Sequence, residues 1–244
     1  MQLRSVALAA VLAAAASAHA DTVALWDFNT YSCAAPCTTL PKATQTANGG
    51  SLSALGGISF NSAAGSGNGS AISTTSYPAQ GTGNLTAGLQ FKIDTTGYTD
   101  LVLSFSQRNS NTASAWTTLQ YTLDGSSWLT ATTFQMPSPA NPNSPSFLDG
   151  RTFDFSGITG ANDNADFGIR FLTSFAPNTS AYAPTLTTGS YGTAGTIRYD
   201  NVLLSGTAIP DVPVDPAPIP EPQTYALMLA GLAAVGLIAR RRTR

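Results

Sequence analysis

The sequence predicts an all-β body folded as a two-sheet sandwich, set between an N-terminal secretory signal and a single C-terminal transmembrane helix. Three observations carry this. Thr, Ser, Gly and Asn dominate the middle of the chain while strong helix formers are scarce: Lys occurs only at 42 and 92, and Glu only at 221. Apolar residues in that region recur at every second position, the period of a half-buried strand. The two ends of the 244-residue chain carry the continuous apolar runs that the body lacks.

The first element is the signal peptide, residues 1–20. Arg4 is followed by an uncharged run from Val6 to Ala16 and then by Ala18-His19-Ala20, with cleavage expected after Ala20. The run is too short to span a bilayer, which takes about 20 residues. The body, 21–208, opens with a strand over Thr22 to Phe28. Thr38 to Gly83 is rich in Gly, Ser and Asn and is expected to form long loops, with one short strand near Ile58 to Phe60. Alternation then gives strands around Leu89-Phe91-Ile93, Leu101-Leu103-Phe105, Leu119-Tyr121-Leu123 and Phe167-Ile169-Phe171, and a last one over Thr196 to Leu204. Asp124-Gly125 between Tyr121 and Trp128 marks a tight hairpin. Short strands separated by turn signals make a sandwich. Residues 209–219, with prolines at 210, 213, 216 and 218, read as a semi-rigid extended spacer.

The last segment, 220–244, has three parts in strict order: Pro220-Glu221-Pro222, the uncharged stretch Thr224 to Ala239, and the basic cluster Arg240, Arg241, Arg242 and Arg244. Sixteen helical residues at about 1.5 Å each reach roughly 24 Å, somewhat under the roughly 30 Å hydrocarbon core. Snorkelling arginines and local thinning cover the difference. Arginines on that flank favour the cytoplasmic side, which leaves the body outside, the orientation the signal peptide also requires. Glu221, the sole glutamate, stands between two prolines in a stiff, extended backbone that does not enter a helix and so stays presented to a partner. This tail resembles the PEP-CTERM sorting domain of Gram-negative bacteria. The resemblance implies recognition of the Pro-Glu-Pro segment by exosortase after passage through the export machinery, retention in the membrane by the helix and arginines, and an association with exopolysaccharide production.

Within the body, Tyr121-Thr122-Leu123-Asp124-Gly125 with Trp128, Phe167-Gly168-Ile169-Arg170-Phe171, and Tyr199-Asp200-Asn201-Val202 are similar to galactose-binding-like jelly-roll domains. That resemblance implies a jelly-roll-like topology and a structural calcium near the paired first and last strands, where Asp27 and Asp200 stand as candidate ligands; oxygen donors of this kind suit Ca2+.

Composition excludes much chemistry. The one histidine, His19, leaves with the signal peptide, so catalytic triads and His-ligated metal centres have no imidazole. Acid–base catalysis falls to aspartates; Asp149, Asp154, Asp163 and Asp166 are candidates for a glycosidase couple, although Asp149-Gly150 and Asn162 to Asp166 also read as turn chemistry. Cys33 and Cys37, the only cysteines, are expected to pair in an oxidising compartment. Between 21 and 208 the cations are Lys42, Lys92, Arg108, Arg151, Arg170 and Arg198 against ten aspartates, the wrong sign for nucleic acid. Trp116, Trp128, Tyr182 and Tyr191 are aromatics able to stack on sugar rings; Tyr182 and Tyr191, in a Pro/Thr/Gly/Ser loop, are the candidates for it, while Trp116 and Trp128 flank the hairpin, where core or cross-strand packing is the commoner role. The expected function is a non-enzymatic structural or binding role in the envelope or extracellular matrix, linked to exopolysaccharide. Its alternatives are a carbohydrate-binding module and an aspartate-dependent glycan hydrolase.

Overall fold

The computed structural model describes residues 20–210 and 222–242. The expected signal peptide, most of the spacer, Pro220, Glu221 and Arg244 lie outside the described residues. A β-rich unit ends at Ile209, and a helical unit follows from Pro210.

Twelve strands are described: β1 Ala20–Trp26, β2 Gln45–Thr46, β3 Gly50–Leu55, β4 Ser59–Ala64, β5 Ser70–Thr75, β6 Gly88–Ile93, β7 Tyr98–Asn109, β8 Trp116–Thr122, β9 Leu129–Gln135, β10 Leu148–Asp154, β11 Gly168–Thr173 and β12 Ile197–Ala208. They form two antiparallel sheets. The first runs β10-β7-β12-β1-β2, with β5 also on β12 and β4 on β5; the second runs β3-β6-β11-β8-β9. The all-β sandwich is therefore present, and the alternation explains it. Leu89, Phe91 and Ile93 from β6, Ile169 and Phe171 from β11, and Leu101, Leu103 and Phe105 from β7 all turn inward and are buried. Phe171 sits at the centre, 4.5 Å from the Phe105 ring, 5.9 Å from Phe91 and stacked on Tyr199 at 5.0 Å. Burying one such side chain stabilises by about 1.5–3 kcal/mol.

The structure corrects four expectations. Thr38 to Gly83 is more than loop with one short strand: besides β4, which covers the expected strand near Ile58 to Phe60, it holds β2, β3 and β5, because each polar strand completes a neighbour's ladder, β3 on β6 and β5 on β12. Asp149-Gly150 is not a turn. It lies inside β10 as a bulge, where the register against β7 shifts between Leu148 and Arg151 and Gly150 takes φ +67°, a conformation that favours glycine. Pro222, expected in extended backbone, is the first residue of helix α1, Pro222–Arg242; a proline fits there because the first helical N–H has no intrahelical acceptor in any case. Among the described residues, finally, no helix is long and apolar enough to cross a membrane. The tail helix forms, but its 21 residues include arginines at the end, so the uncharged part is shorter than the helix. Its Leu227, Met228, Leu229, Leu232, Val235, Leu237 and Ile238 are all exposed.

The last strand carries a further irregularity of the first sheet. β12 has β7 along one edge, while the other edge is shared by β5, at Ile197 to Tyr199, and β1, at Val202 to Thr207. Where the two neighbours part, Asn201 adopts φ +49° and the register slips between Asp200 and Leu203. The extra residue restores the inward phase, so Tyr199 and Val202 are both buried.

Candidate functional site

Asp200 occupies that parting. It is buried; Oδ2 accepts the Ser66 N–H at 2.7 Å and Oδ1 the Asn201 N–H at 2.8 Å. Burial raises its pKa, the two N–H donors lower it, and the nearby Asp27 and Asp149 charges raise it again. Asp27 Oδ1 accepts the Thr44 hydroxyl at 2.7 Å and the Asn29 N–H at 3.1 Å. Among the described residues no group of three or more His, Cys, Asp or Glu side chains is placed to hold a metal ion. The structure thus brings the two expected calcium ligands near each other but gives Asp27 Oδ1 and both oxygens of Asp200 other partners. The Ser66 bond joins the β4–β5 turn to β12, and the Thr44 bond joins the end of β1 to the segment before β2.

The tyrosine pair is also reassigned. Tyr182 is 2 % exposed, donates its hydroxyl to Thr82 O at 2.9 Å, and is stacked on Tyr191 with ring centroids 4.6 Å apart. Tyr191, half-buried, donates to Pro78 O at 2.7 Å. Burial pushes each phenol up to about 12, with Tyr182 adding to the shift of Tyr191. Tyr182 therefore offers no face to a sugar ring; the pair pins the β5–β6 loop to the β11–β12 loop. The reason is the stack itself, in which each ring covers the other.

Cys33 and Cys37 form the expected disulfide. The aspartates weighed for catalysis serve the backbone or neighbouring side chains. Asp154 Oδ1 accepts Ser156 N–H, Asp163 Oδ1 accepts Gly97 N–H, and Asp149 Oδ1 accepts the Ser66 hydroxyl. Asp166 uses its own N–H to bond Asn164 Oδ1.

A different surface has the character of a binding site. On the second sheet the inward phase is apolar, so the opposite phase faces out, and there the register aligns Ser53, Gln90, Arg170, Gln120 and Thr130 in one row across all five strands. At about 4.8 Å per strand the row is about 19 Å long. It is internally bonded: Arg170 Nε donates to Gln120 Oε1 at 2.8 Å, and Gln120 Nε2 donates to Thr130 Oγ1 at 3.2 Å. Beside it, the Thr118 and Thr133 hydroxyls meet at 3.0 Å. Trp128 lies across the row, its ring 4.3 Å from the Arg170 guanidinium carbon and against Gly168, where a Cβ would stand 3.5 Å from the indole. Partial burial holds the Arg170 pKa below its usual range. The floor is recessed, with Gln120 only 7 % exposed, whereas Thr130, Thr133, Ser51 and Lys92 stand exposed around it.

None of the five strands of this sheet contains an Asp or Glu; Lys92 and Arg170 are their only charged residues. The arrangement supplies hydrogen-bond donors and acceptors, an indole and positive charge on a rigid support. Nothing in it resembles a nucleophile with a base. Sequence reasoning passed over these residues, although the signal was there: Gln90 and Lys92, Arg170, and Thr118, Gln120 and Thr122 occupy the polar phase of the same alternations that announced the core.

The tail is a separate matter. Residues 218–242 match the PEP-CTERM protein-sorting motif. PEP-CTERM marks an exported protein whose membrane-anchored precursor is processed by exosortase. No curated protein matches the sequence. Two solved structures are similar to the chain at 13 % identity. One is CBM28, a carbohydrate-binding module specific for non-crystalline cellulose, with a TM-score of 0.39 over 61 % of this chain and 80 % of that one. The other is the CBM22-1 xylan-binding domain of Paenibacillus barcinonensis Xyn10C, with a TM-score of 0.38 over 81 % of this chain and 100 % of that one.

Proposed function

We propose that the exported body is a non-enzymatic glycan-binding domain that works at the cell surface or in the extracellular matrix, where the PEP-CTERM tail delivers it and where exopolysaccharide is the available ligand. The observation that carries this reading is the polar row on the second sheet. Sugars present hydroxyls at regular intervals and apolar ring faces between them. Gln90, Gln120, Thr130 and the terminal nitrogens of Arg170 match the first, and the Trp128 indole matches the second. Because Arg170, Gln120 and Thr130 are bonded to one another across three strands, these side chains are ordered before a ligand arrives, which lowers the entropic cost of binding. The stacking of Tyr182 on Tyr191 and the hydrogen bonds accepted by Asp149, Asp154 and Asp163 favour packing and positioning roles for those side chains.

The test is affinity electrophoresis of the protein through gels containing purified exopolysaccharide, followed by a glycan array. Trp128→Ala and Gln120→Ala should each weaken binding about tenfold, near 1.4 kcal/mol, while Tyr191→Phe should leave it unchanged. Equal retardation of all variants, or no retardation of the parent protein, overturns the assignment.

A further inference from the structure

Arg151 is the most anomalous charge in the body. It stands on β10 opposite Phe105 and is only 8 % exposed, yet no carboxylate pairs with it among the described residues. Its guanidinium carbon lies 4.7 Å from the Phe134 ring and 5.9 Å from the Phe105 ring. Its bonds are to Gln135 O, at 3.1 Å, and to the Met136 sulfur, at 3.5 Å, while Nε has no partner. A buried cation without an anion is costly, and a thioether is a weak acceptor. Ring contacts soften the cost without neutralising the charge.

The surroundings point the same way. The inward row of β7 turns from Leu101, Leu103 and Phe105 to Gln107 and Asn109, so the sandwich becomes polar inside at this end. Gln107 Nε2 donates to Asn109 Oδ1 and Thr117 Oγ1, but Gln107 Oε1 and the Thr173 hydroxyl, both buried, have no partner. A cavity of about 220 Å³ opens onto this end, lined by Asn109, Met136 and Thr185 within and by Ser138, Ser146 and Phe147 toward solvent. Met136 therefore belongs to both features: it walls the cavity and touches the guanidinium.

We propose that this cavity is a second binding site, taking a small carboxylate of monosaccharide size, such as a uronic acid, whose anion displaces the Met136 thioether from Arg151. A carboxylate suits the guanidinium because it accepts two parallel N–H bonds. Methionine suits the wall because its unbranched chain turns aside at little cost. Asn109 Oδ1, which accepts one bond from Gln107, and Thr185 Oγ1, which donates to Ala113 O, each keep a lone pair to accept a ligand hydroxyl. The site is separate from the row on the second sheet and does not depend on it.

The experiment is calorimetric titration of the full-length protein in detergent with glucuronate, using glucose as the neutral control. The parent protein should bind glucuronate and not glucose. Arg151→Lys, which keeps the charge and loses the fork, should weaken binding at least tenfold. Since a core variant can misfold, Ser146→Trp provides an independent arm: Ser146 is exposed at the cavity mouth, so the indole should abolish binding with the melting temperature unchanged. Absence of glucuronate binding by the parent, equal binding of glucose, or undiminished binding by Ser146→Trp each overturns the proposal. Loss through Trp128→Ala in its place would put acid recognition on the sheet face.

Discussion

At the scale of single residues, the fold rests on aromatic packing and on aspartates that serve the backbone. Phe171 touches three aromatic rings drawn from three different strands. Phe171→Ala should cost about 3–5 kcal/mol, read as a lowered urea midpoint, because the cavity left between two sheets closes poorly. Two aspartates give opposite pH dependences. Asp124 accepts the Ser127 and Ser126 N–H groups at 2.6 and 2.8 Å, which holds its carboxyl well below the usual range. Its contribution is present above the unfolded pKa of about 3.9 and is lost as pH falls toward the folded value. The gap in urea midpoint between the parent and Asp124→Ala, clear at neutral pH, should narrow steadily below about pH 4. Asp200 has a raised pKa through burial, so the folded state holds its proton longer and stability from this group falls as pH rises above the unfolded value. Asp200→Asn should remove that slope, and an unchanged slope would place it on another group.

At the scale of elements, the strands that alternation announced are those with large apolar residues at successive inward positions. β6, β7, β8, β11 and β12 all carry such residues, and each sits at or next to the middle of its sheet. β4 was announced only by the short stretch near Ile58 to Phe60, while β3 and β5 were illegible because small and polar residues dominate them, and their strand character is lent by the neighbour whose ladder they complete. The same holds for the bulges at Gly150 and at Asp200-Asn201. An extra residue in a strand has no local signature when it exists to re-phase one strand against another. Gly150→Ala should cost about 1 kcal/mol, measured by thermal melting, since a Cβ meets nothing within 4 Å and the penalty is that of φ +67° alone. The Cys33–Cys37 disulfide closes a short loop, four residues apart in sequence, so reducing it should lower the melting temperature only modestly.

At the scale of the whole molecule, two units do two jobs. The sandwich carries its own core and its own candidate surfaces, and the PEP-CTERM tail carries an address. The large apolar side chains of α1 are exposed, from Leu227 to Ile238. Intact-mass measurement of the surface form, in a host that has exosortase, should show the C-terminal arginines removed. Glu221→Ala should leave an uncleaved precursor in the inner membrane; Arg244 retained on the surface form, or normal processing of the variant, would contradict this.

The sequence by itself determined the fold class, the disulfide and the sorting tail. Each is written in local order: a period of two, a pair of cysteines, and three short segments in succession. The tertiary structure decided the site. The row from Ser53 to Thr130 draws one residue from each of five strands, and only the register between strands places those residues side by side. The tyrosine pair moved from the surface to a packed loop for the same reason, since Tyr182 and Tyr191 are adjacent only through the fold. Arg151 shows it most sharply: its position among the other cations of the chain carries no mark, and its isolation from any carboxylate exists only where β10, Phe105 and Phe134 close around it.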